Sequence, residues 1–225
     1  MEVATVQTIQ PRVLGGTVVT IETDISRGLH SFTVVGLAGK AVDESKDRVG
    51  SAIKHSGYSS PKTKNQKVVV SLSPADLKKE GPLFDLPIAI AYLIAAGEIE
   101  VDDVKRVFIG ELGLDGSLRP VRGILNCVIA AQEAGMKEII VPAINLEEAA
   151  LIDDITIIGC STLQQVIDHI HLDSTRPKQT PQPLTTITEN WTESTTRLED
   201  IKGQESAKRG LIIAAAGRHN VMLVG

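Results

Sequence analysis

The order of apolar runs in this chain predicts an α/β (α+β) fold built on a mixed sheet. Strand-like and helix-like runs interleave from one end to the other, which is the pattern of sheet layers covered by helices. The first two extended runs are joined only by Gly15-Gly16, a turn that suits antiparallel neighbours. An Asp115-Gly116 pair lies between two further extended runs, and that dipeptide is the strongest short-range hairpin signal.

Taken in order, Val3 to about Ile25 is rich in β-branched residues and reads as two strands, and Ser31 to Val35 as a third. A helix is expected over Ala41 to His55. Val42, Val49, Ala52 and Ile53 share one of its faces, Glu44 and Arg48 are spaced to pair at i,i+4, and Gly57 stands where it should stop. Gln66 to Leu72 is a central strand by composition. Asp85 is placed to cap an apolar helix over Leu86 to Ala96, with Pro87 tolerated in its first turn. Val107 to Leu114 and Ser117 to Val121 are the two arms of the hairpin. An amphipathic helix from Ile124 ends at Gly135, and Glu138 to Pro142 is a buried strand. A short helix over Leu146 to Leu151, a strand at Thr156 to Ile158 and a helix over Leu163 to Ile170 complete the domain.

Composition divides the chain into residues 1–172, a Pro/Thr-rich linker at 173–195, and the start of a second unit at 196–225. Pro177, Pro181 and Pro183 lie in the linker among threonines and glutamines, and Trp191, near its end, is expected to pin it to one unit. In the second unit a helix from Glu205 to Ala216 carries Ala207, Leu211, Ala214 and Ala215 on one face and leads into a terminal strand ending at Gly225. A small-residue helix, then a short apolar strand closing on glycine, is the approach to a phosphate-binding P-loop, of which Gly225 is the first glycine. The expectation is a chain cut where an ATP site begins, lacking the lysine and Ser/Thr that engage phosphates and magnesium.

The 225 residues give room for one domain, a linker and part of another. A net charge of -5 argues against a general nucleic-acid coat and leaves local basic patches open. Cys127 and Cys160 have no C-x-x-C spacing and read as reduced core residues of a cytoplasmic protein. No secretory signal is visible, and the Leu86 to Gly97 run is too short to span a bilayer.

Asp76, Glu80 and Asp85 invite a metal-site reading, but a cap at Asp85 and solvated loop charges beside Lys78 and Lys79 account for them. His169 and His171 do not share a helical face, which argues against a metal. Arg119 and Arg122 flank Pro120 beside a helix start and suit either holding the hairpin by hydrogen bonds to carbonyls or facing a neighbouring subunit. Lys62, Lys64, Lys67, Lys78 and Lys79 are the basic concentration and the candidate DNA contact, with Tyr58 the aromatic nearby. Single-strand binding normally adds several stacking aromatics, and 3% of this chain is aromatic.

Four segments carry more than fold propensity requires: Ser31-Phe32-Thr33-Val34-Val35-Gly36-Leu37, Glu44 to Val49, Ser73 to Pro87, and Gly110 to Gly123. Through them the chain resembles the magnesium-chelatase-like AAA+ ATPases of the YifB/ComM family over all but the linker. The resemblance implies a Lon-protease-like N-terminal domain, then an AAA+ module in which Ile201 and Gly203 lie on the adenine side of the nucleotide. For the whole protein it implies ATP and Mg²⁺ as cofactors, a homo-oligomer, expected to be a hexamer, no membrane partner, and a competence-linked motor that drives branch migration of DNA. For this chain alone no cofactor and no ATP hydrolysis are expected. The alternative is a protein-interaction or regulatory domain of an ATPase that remodels a protein or assists metal insertion. Lon-type peptidases use a Ser-Lys dyad. The serine's position after Gly81-Pro82 is Leu83 here, and the lysine's helix start reads Ile124-Leu125-Asn126-Cys127, so no peptidase is expected.

Overall fold

The computed structural model describes residues 3–187 and 196–224. The chain divides into two compact units, Met1–Thr185 and Thr186–Gly225. The expected roles of Trp191 and Gly225 fall on residues outside the described ones.

In the first unit seven strands form one mixed sheet: β1 (Ala4–Pro11), β2 (Gly16–Arg27), β3 (Ser31–Val35), β4 (Gln66–Ser73), β5 (Arg106–Phe108), β8 (Glu138–Pro142) and β9 (Thr156–Cys160), in spatial order β3-β4-β2-β1-β5-β8-β9. The strands missing from that numbering, β6 (Glu111–Leu112) and β7 (Leu118–Arg119), form a separate two-stranded sheet. β1, β2 and β4 pair antiparallel, whereas β1, β5, β8 and β9 run parallel. The two halves have different sequences for that reason. In β2, Val19, Ile21, Thr23 and Ile25 are buried while Glu22 and Asp24 are exposed, the alternation of a strand wet on one face. β5 and β8 are buried almost throughout, as parallel strands covered on both faces must be.

The helices are α1 (Lys40–Asp43), α2 (Ser45–His55), α3 (Asp85–Ala95), α4 (Ile124–Glu133), α5 (Leu146–Ala149) and α6 (Leu163–Ile170). From Asp85 to Leu93 every residue of α3 is buried, so it is a core helix packed on β1, β2 and α2. α4 packs on the same two strands, and a Cβ at Gly16 would stand 3.2 Å from Ala130 of that helix. Val42, Val49, Ala52 and Ile53 are fully buried, as their spacing requires.

Four expectations are corrected in detail. The helix expected over 41–55 is broken at Glu44, where the Ser45 hydroxyl donates to the Val42 carbonyl at 2.6 Å and competes with the helical ladder. The strand expected over 107–114 divides at Ile109-Gly110: β5 enters the large sheet, and β6 turns out to pair with β7. Between β6 and β7 the loop is wider than a two-residue turn. A type I′ turn needs positive φ at both central residues, but only Gly116 has it, at 84°. Asp115 Oδ1 instead accepts from the Ser117 N–H at 3.0 Å and its hydroxyl at 2.7 Å. Lastly, Glu44 pairs with Lys40 at 3.8 Å and not with Arg48, whose partner lies elsewhere.

The Pro/Thr-rich stretch begins inside the first unit. Gln179, Gln182 and Thr185 donate their backbone N–H groups to it, so residues 173–185 lie along the domain. The second unit holds a 3₁₀ turn, Leu198–Asp200, and α7 (Glu205–Gly217). Of the face expected to be buried on α7, Ala214 alone is; Ala207 and Ala215 are exposed. Residues 219–224 pair with no strand, and Val221 to Val224 are exposed, since an edge without a neighbour has no ladder to join.

Candidate functional site

Gly81, with φ of 88°, opens a 3₁₀ turn over Pro82–Phe84. Leu83 is buried, and its carbonyl accepts the Gly110 N–H at 3.2 Å, while Leu86 donates to the Gly110 carbonyl at 3.0 Å. These bonds fix the turn against the segment joining β5 to β6. A pocket of about 340 Å³ opens beside it, lined by Pro11, Gly81, Pro82, Leu83, Pro120 and Val121, with Gln10, Glu80, Glu111 and Arg122 around them. The lining holds neither a serine hydroxyl nor a lysine amine. Cys127 is buried in α4 and burial pushes its thiol up to about 12, so it stays protonated and is no substitute nucleophile. Accordingly a fluorophosphonate probe should leave the chain unlabelled; labelling at Ser73 or at any other serine would refute this.

Two residues after Leu83 in the chain, Asp85 belongs to a charge pair that the sequence did not reveal. Arg48 holds Asp85 by two bonds, Nε to Oδ2 at 2.7 Å and Nη2 to Oδ1 at 3.0 Å, and Asp85 Oδ2 also accepts the Leu112 N–H at 3.2 Å. Asp85 is fully buried at the first residue of α3 and caps nothing. This corrects the expected capping role: its carboxylate instead joins α2, α3 and the hairpin. Burial pushes its carboxyl up to about 6, against the opposing pull of Arg48 and the Leu112 N–H. The only sequence signal was an aspartate in an otherwise apolar run. Arg119 pairs with Glu111 across the hairpin at 3.2 Å, the holding role its position suggested.

The five lysines do not form one surface. Lys62 pairs with Asp47 at 2.6 Å, Lys64 with Glu98 at 3.0 Å and Lys78 with Glu80 at 2.6 Å. Lys62's ammonium holds the Asp47 carboxyl below its usual range, as expected of an ionised pair. Lys67 is exposed at the start of β4. Lys79 is a correction: its side chain is fully buried, donates to the Pro74 carbonyl, and has its ammonium pKa lowered by desolvation. It is there because its backbone joins the loop after β3, with its N–H on Leu37 and its carbonyl receiving Gly39. Tyr58 packs half-buried against the core.

His169 and His171 diverge, the first facing Glu138 and the second the backbone of Glu100. Among the described residues no three His, Cys, Asp or Glu side chains are grouped to hold a metal, and both cysteines are free. No helix among them is long and apolar enough to cross a membrane.

In the second unit Ile201 is 41% exposed just after the 3₁₀ turn, and Gly203 has φ of 69° just before α7. A cavity of about 590 Å³ in this unit is lined by Arg197, Leu198, Glu199, Glu205, Lys208, Arg209 and Ile212, and Ile201 and Gly203 stand outside that lining.

Comparison with known proteins gives a consistent picture. The family model described as subunit ChlI of Mg-chelatase matches residues 21–145, and a second, magnesium chelatase subunit ChlI, matches 197–225. Competence protein ComM of Haemophilus influenzae is 39% identical over 208 residues, covering 92% of this chain and 40% of the relative. YifB of Escherichia coli is 39% identical over 208 residues, covering 92% and 39%. Lon protease 2 of Bacillus subtilis is 32% identical over 99 residues, 43% of this chain and 18% of that protein, in keeping with the Lon-like mixed α/β fold. The chain thus spans about two fifths of the length of the ComM and YifB relatives.

Proposed function

This chain belongs to the magnesium-chelatase-like family of YifB and ComM, and from that premise we propose that it is the N-terminal part of an AAA+ ATPase that remodels DNA. The observation that carries the proposal is the matching of chelatase-family sequence on both sides of the Pro/Thr-rich stretch, in two separate compact units. The Haemophilus relative is named a competence protein, which supports a reading in which the substrate is DNA. In this reading the whole protein uses ATP and Mg²⁺ as a homo-hexamer, and the first unit binds and assembles while the second begins the nucleotide site at Ile201, Gly203 and Gly225. On the first unit the DNA contact is made by Lys67 with Lys62 and Lys64 beside it. Lys62, Lys64 and Lys78 would each have to exchange a carboxylate partner, Asp47, Glu98 and Glu80, for phosphate, so Lys67 contributes most, and Lys79 is withdrawn by burial.

A second reading, docking of a protein partner, is favoured by the neutralised lysines and by the apolar pocket at Gly81 to Leu83. Titration of the chain with fluorescent single-stranded and branched DNA at low and moderate salt separates the two, with a Lys62→Gln/Lys64→Gln/Lys67→Gln variant alongside. DNA contact predicts binding that weakens with salt, and a log-log salt slope that is smaller in the variant by up to about two to three, each of the three phosphate contacts contributing about 0.7 to 0.9. No binding at low salt would confine DNA to other parts of the protein and leave this unit as a docking element.

A further inference from the structure

Residues 173–185 were expected to be free linker, yet they lie on the first unit in a regular way. Gln179, Gln182 and Thr185 are half-buried while their neighbours are exposed, a spacing of three that matches the turn of a polyproline II helix. Each of the three donates its backbone N–H to the domain: Gln179 to His169 Nδ1 at 3.1 Å, Gln182 to the Ile157 carbonyl at 2.9 Å, and Thr185 to the Ala150 carbonyl at 2.8 Å. Ile157 belongs to β9, the outer strand of the sheet, so the segment covers part of an otherwise open edge. Pro177, Pro181 and Pro183 restrict both themselves and the residues before them to extended conformations, which lowers the entropy lost on docking. Arg176 adds an ion pair to Asp168 at 3.2 Å.

One of these acceptors can be switched off. A backbone N–H only donates, so Nδ1 of His169 must be unprotonated, and the ring hydrogen sits on Nε2, 3.4 Å from Glu138 Oε2. We propose that residues 173–185 form a detachable strap, latched by neutral His169 and released when that imidazole takes up a proton. Protonation puts an N–H where Gln179 already presents one, donor against donor. Glu138 of β8 faces the ring's other nitrogen, and Arg106 of β5 is bonded to both Glu138 and Asp102. The other charges around the latch hold their state across the pH range of histidine titration: His169 and Arg106 keep the Glu138 carboxyl below its ordinary value despite burial, Asp102 is held low by Arg106, and burial keeps the Cys160 thiol neutral at about 12. Lys178 and Arg176 of the strap and Asp168 of α6 are the remaining charges nearby. Release adds roughly 13 residues, on the order of 40 Å of extended chain, to the tether between the two units.

Trypsin reads the strap directly. Arg176 precedes proline and resists cleavage, so Lys178-Gln179 is the cutting point within it. Cleavage there, corrected against a free peptide of the same sequence, should rise several-fold as the pH falls from 8 to 5.5. His169→Gln, which retains a neutral acceptor, should flatten the profile. Gln182→Pro, which removes one docking N–H and touches no titrating group, should raise cleavage at every pH. Amide exchange in β8 serves to confirm that the domain stays folded. A flat profile in the native chain, or the same rise in His169→Gln, overturns the proposal; should His169→Gln fail to fold, the native profile and Gln182→Pro still decide it.

Discussion

Replacing Arg48 by alanine is expected to destabilise the first unit by about 3–5 kcal/mol at pH 7.5, the range for stripping one partner from a buried pair. The loss falls on Asp85, which is fully buried and would keep only the Leu112 N–H as a partner. Arg48 itself has 22% of its side chain exposed, so the reverse removal, Asp85→Ala, leaves a cation that water can reach. It should cost less than Arg48→Ala does. Urea unfolding followed by circular dichroism measures both, and a cost for Arg48→Ala below 1 kcal/mol would mean that the pair does not join α2, α3 and the hairpin as described.

The same pair sets a pH dependence whose sign can be worked out. An aspartate in an unfolded chain titrates near 3.9, and burial pushes Asp85 up to about 6 in the fold. Between those values the folded state holds a proton that the unfolded state has released. The stability contributed by protonated Asp85 is therefore complete below about pH 4 and is lost as pH rises through about 6, a swing on the order of 3 kcal/mol. Asp85→Asn removes that swing, so native stability minus variant stability should fall between pH 4.5 and pH 7.5, and parallel profiles would exclude it. For Arg48→Ala the penalty should shrink as pH falls, because the orphaned carboxyl can neutralise itself by taking a proton.

Much of this was legible because it follows from local periodicity. Val42, Val49, Ala52 and Ile53 mark a buried helical face by spacing alone, and Glu22 and Asp24 alternate with Ile21, Thr23 and Ile25 because a half-wet strand requires it. What escaped depends on residues distant in sequence. Nothing near Asp85 in the chain points to Arg48, 37 residues earlier, so a capping role was the natural local reading. Lys79 looks like a loop charge until its backbone is seen to be held by Leu37 and Gly39. Lys62, Lys64 and Lys78 count as positive charge in composition, but Asp47, Glu98 and Glu80 answer them in space. The strap followed the same rule. Its prolines argue for extended chain, correctly, but its docking rests on His169 and on the open edge of β9, which composition does not encode.

Gly36→Ala is the backbone counterpart of the Arg48 experiment and should cost about 4 kcal/mol. Gly36 has φ of 104°, and a Cβ there would fall on the Leu72 carbonyl oxygen, with the Leu72 carbonyl carbon and nitrogen at 3.0 and 3.1 Å. Two penalties combine: a left-handed backbone at a residue with a side chain, about 1–3 kcal/mol, and overpacking against a rigid strand, another 1–3 kcal/mol. Two further glycines separate them. Gly15 has φ of 70° in open space, so Gly15→Ala carries the conformational penalty alone, about 1–2 kcal/mol. Gly28 has neither constraint and should change by less than about 0.5 kcal/mol. Equal losses at Gly15 and Gly36 would show that β3 does not approach β4 as closely as described. An excess at Gly36 has a consequence beyond stability, because Leu37 and Gly39 hold the backbone of Lys79, two residues before the Gly81 turn. Displacing Gly36 should therefore loosen the pocket beside Leu83 along with the strand, and amide exchange at Lys79 and Gly39 should accelerate more than at β8.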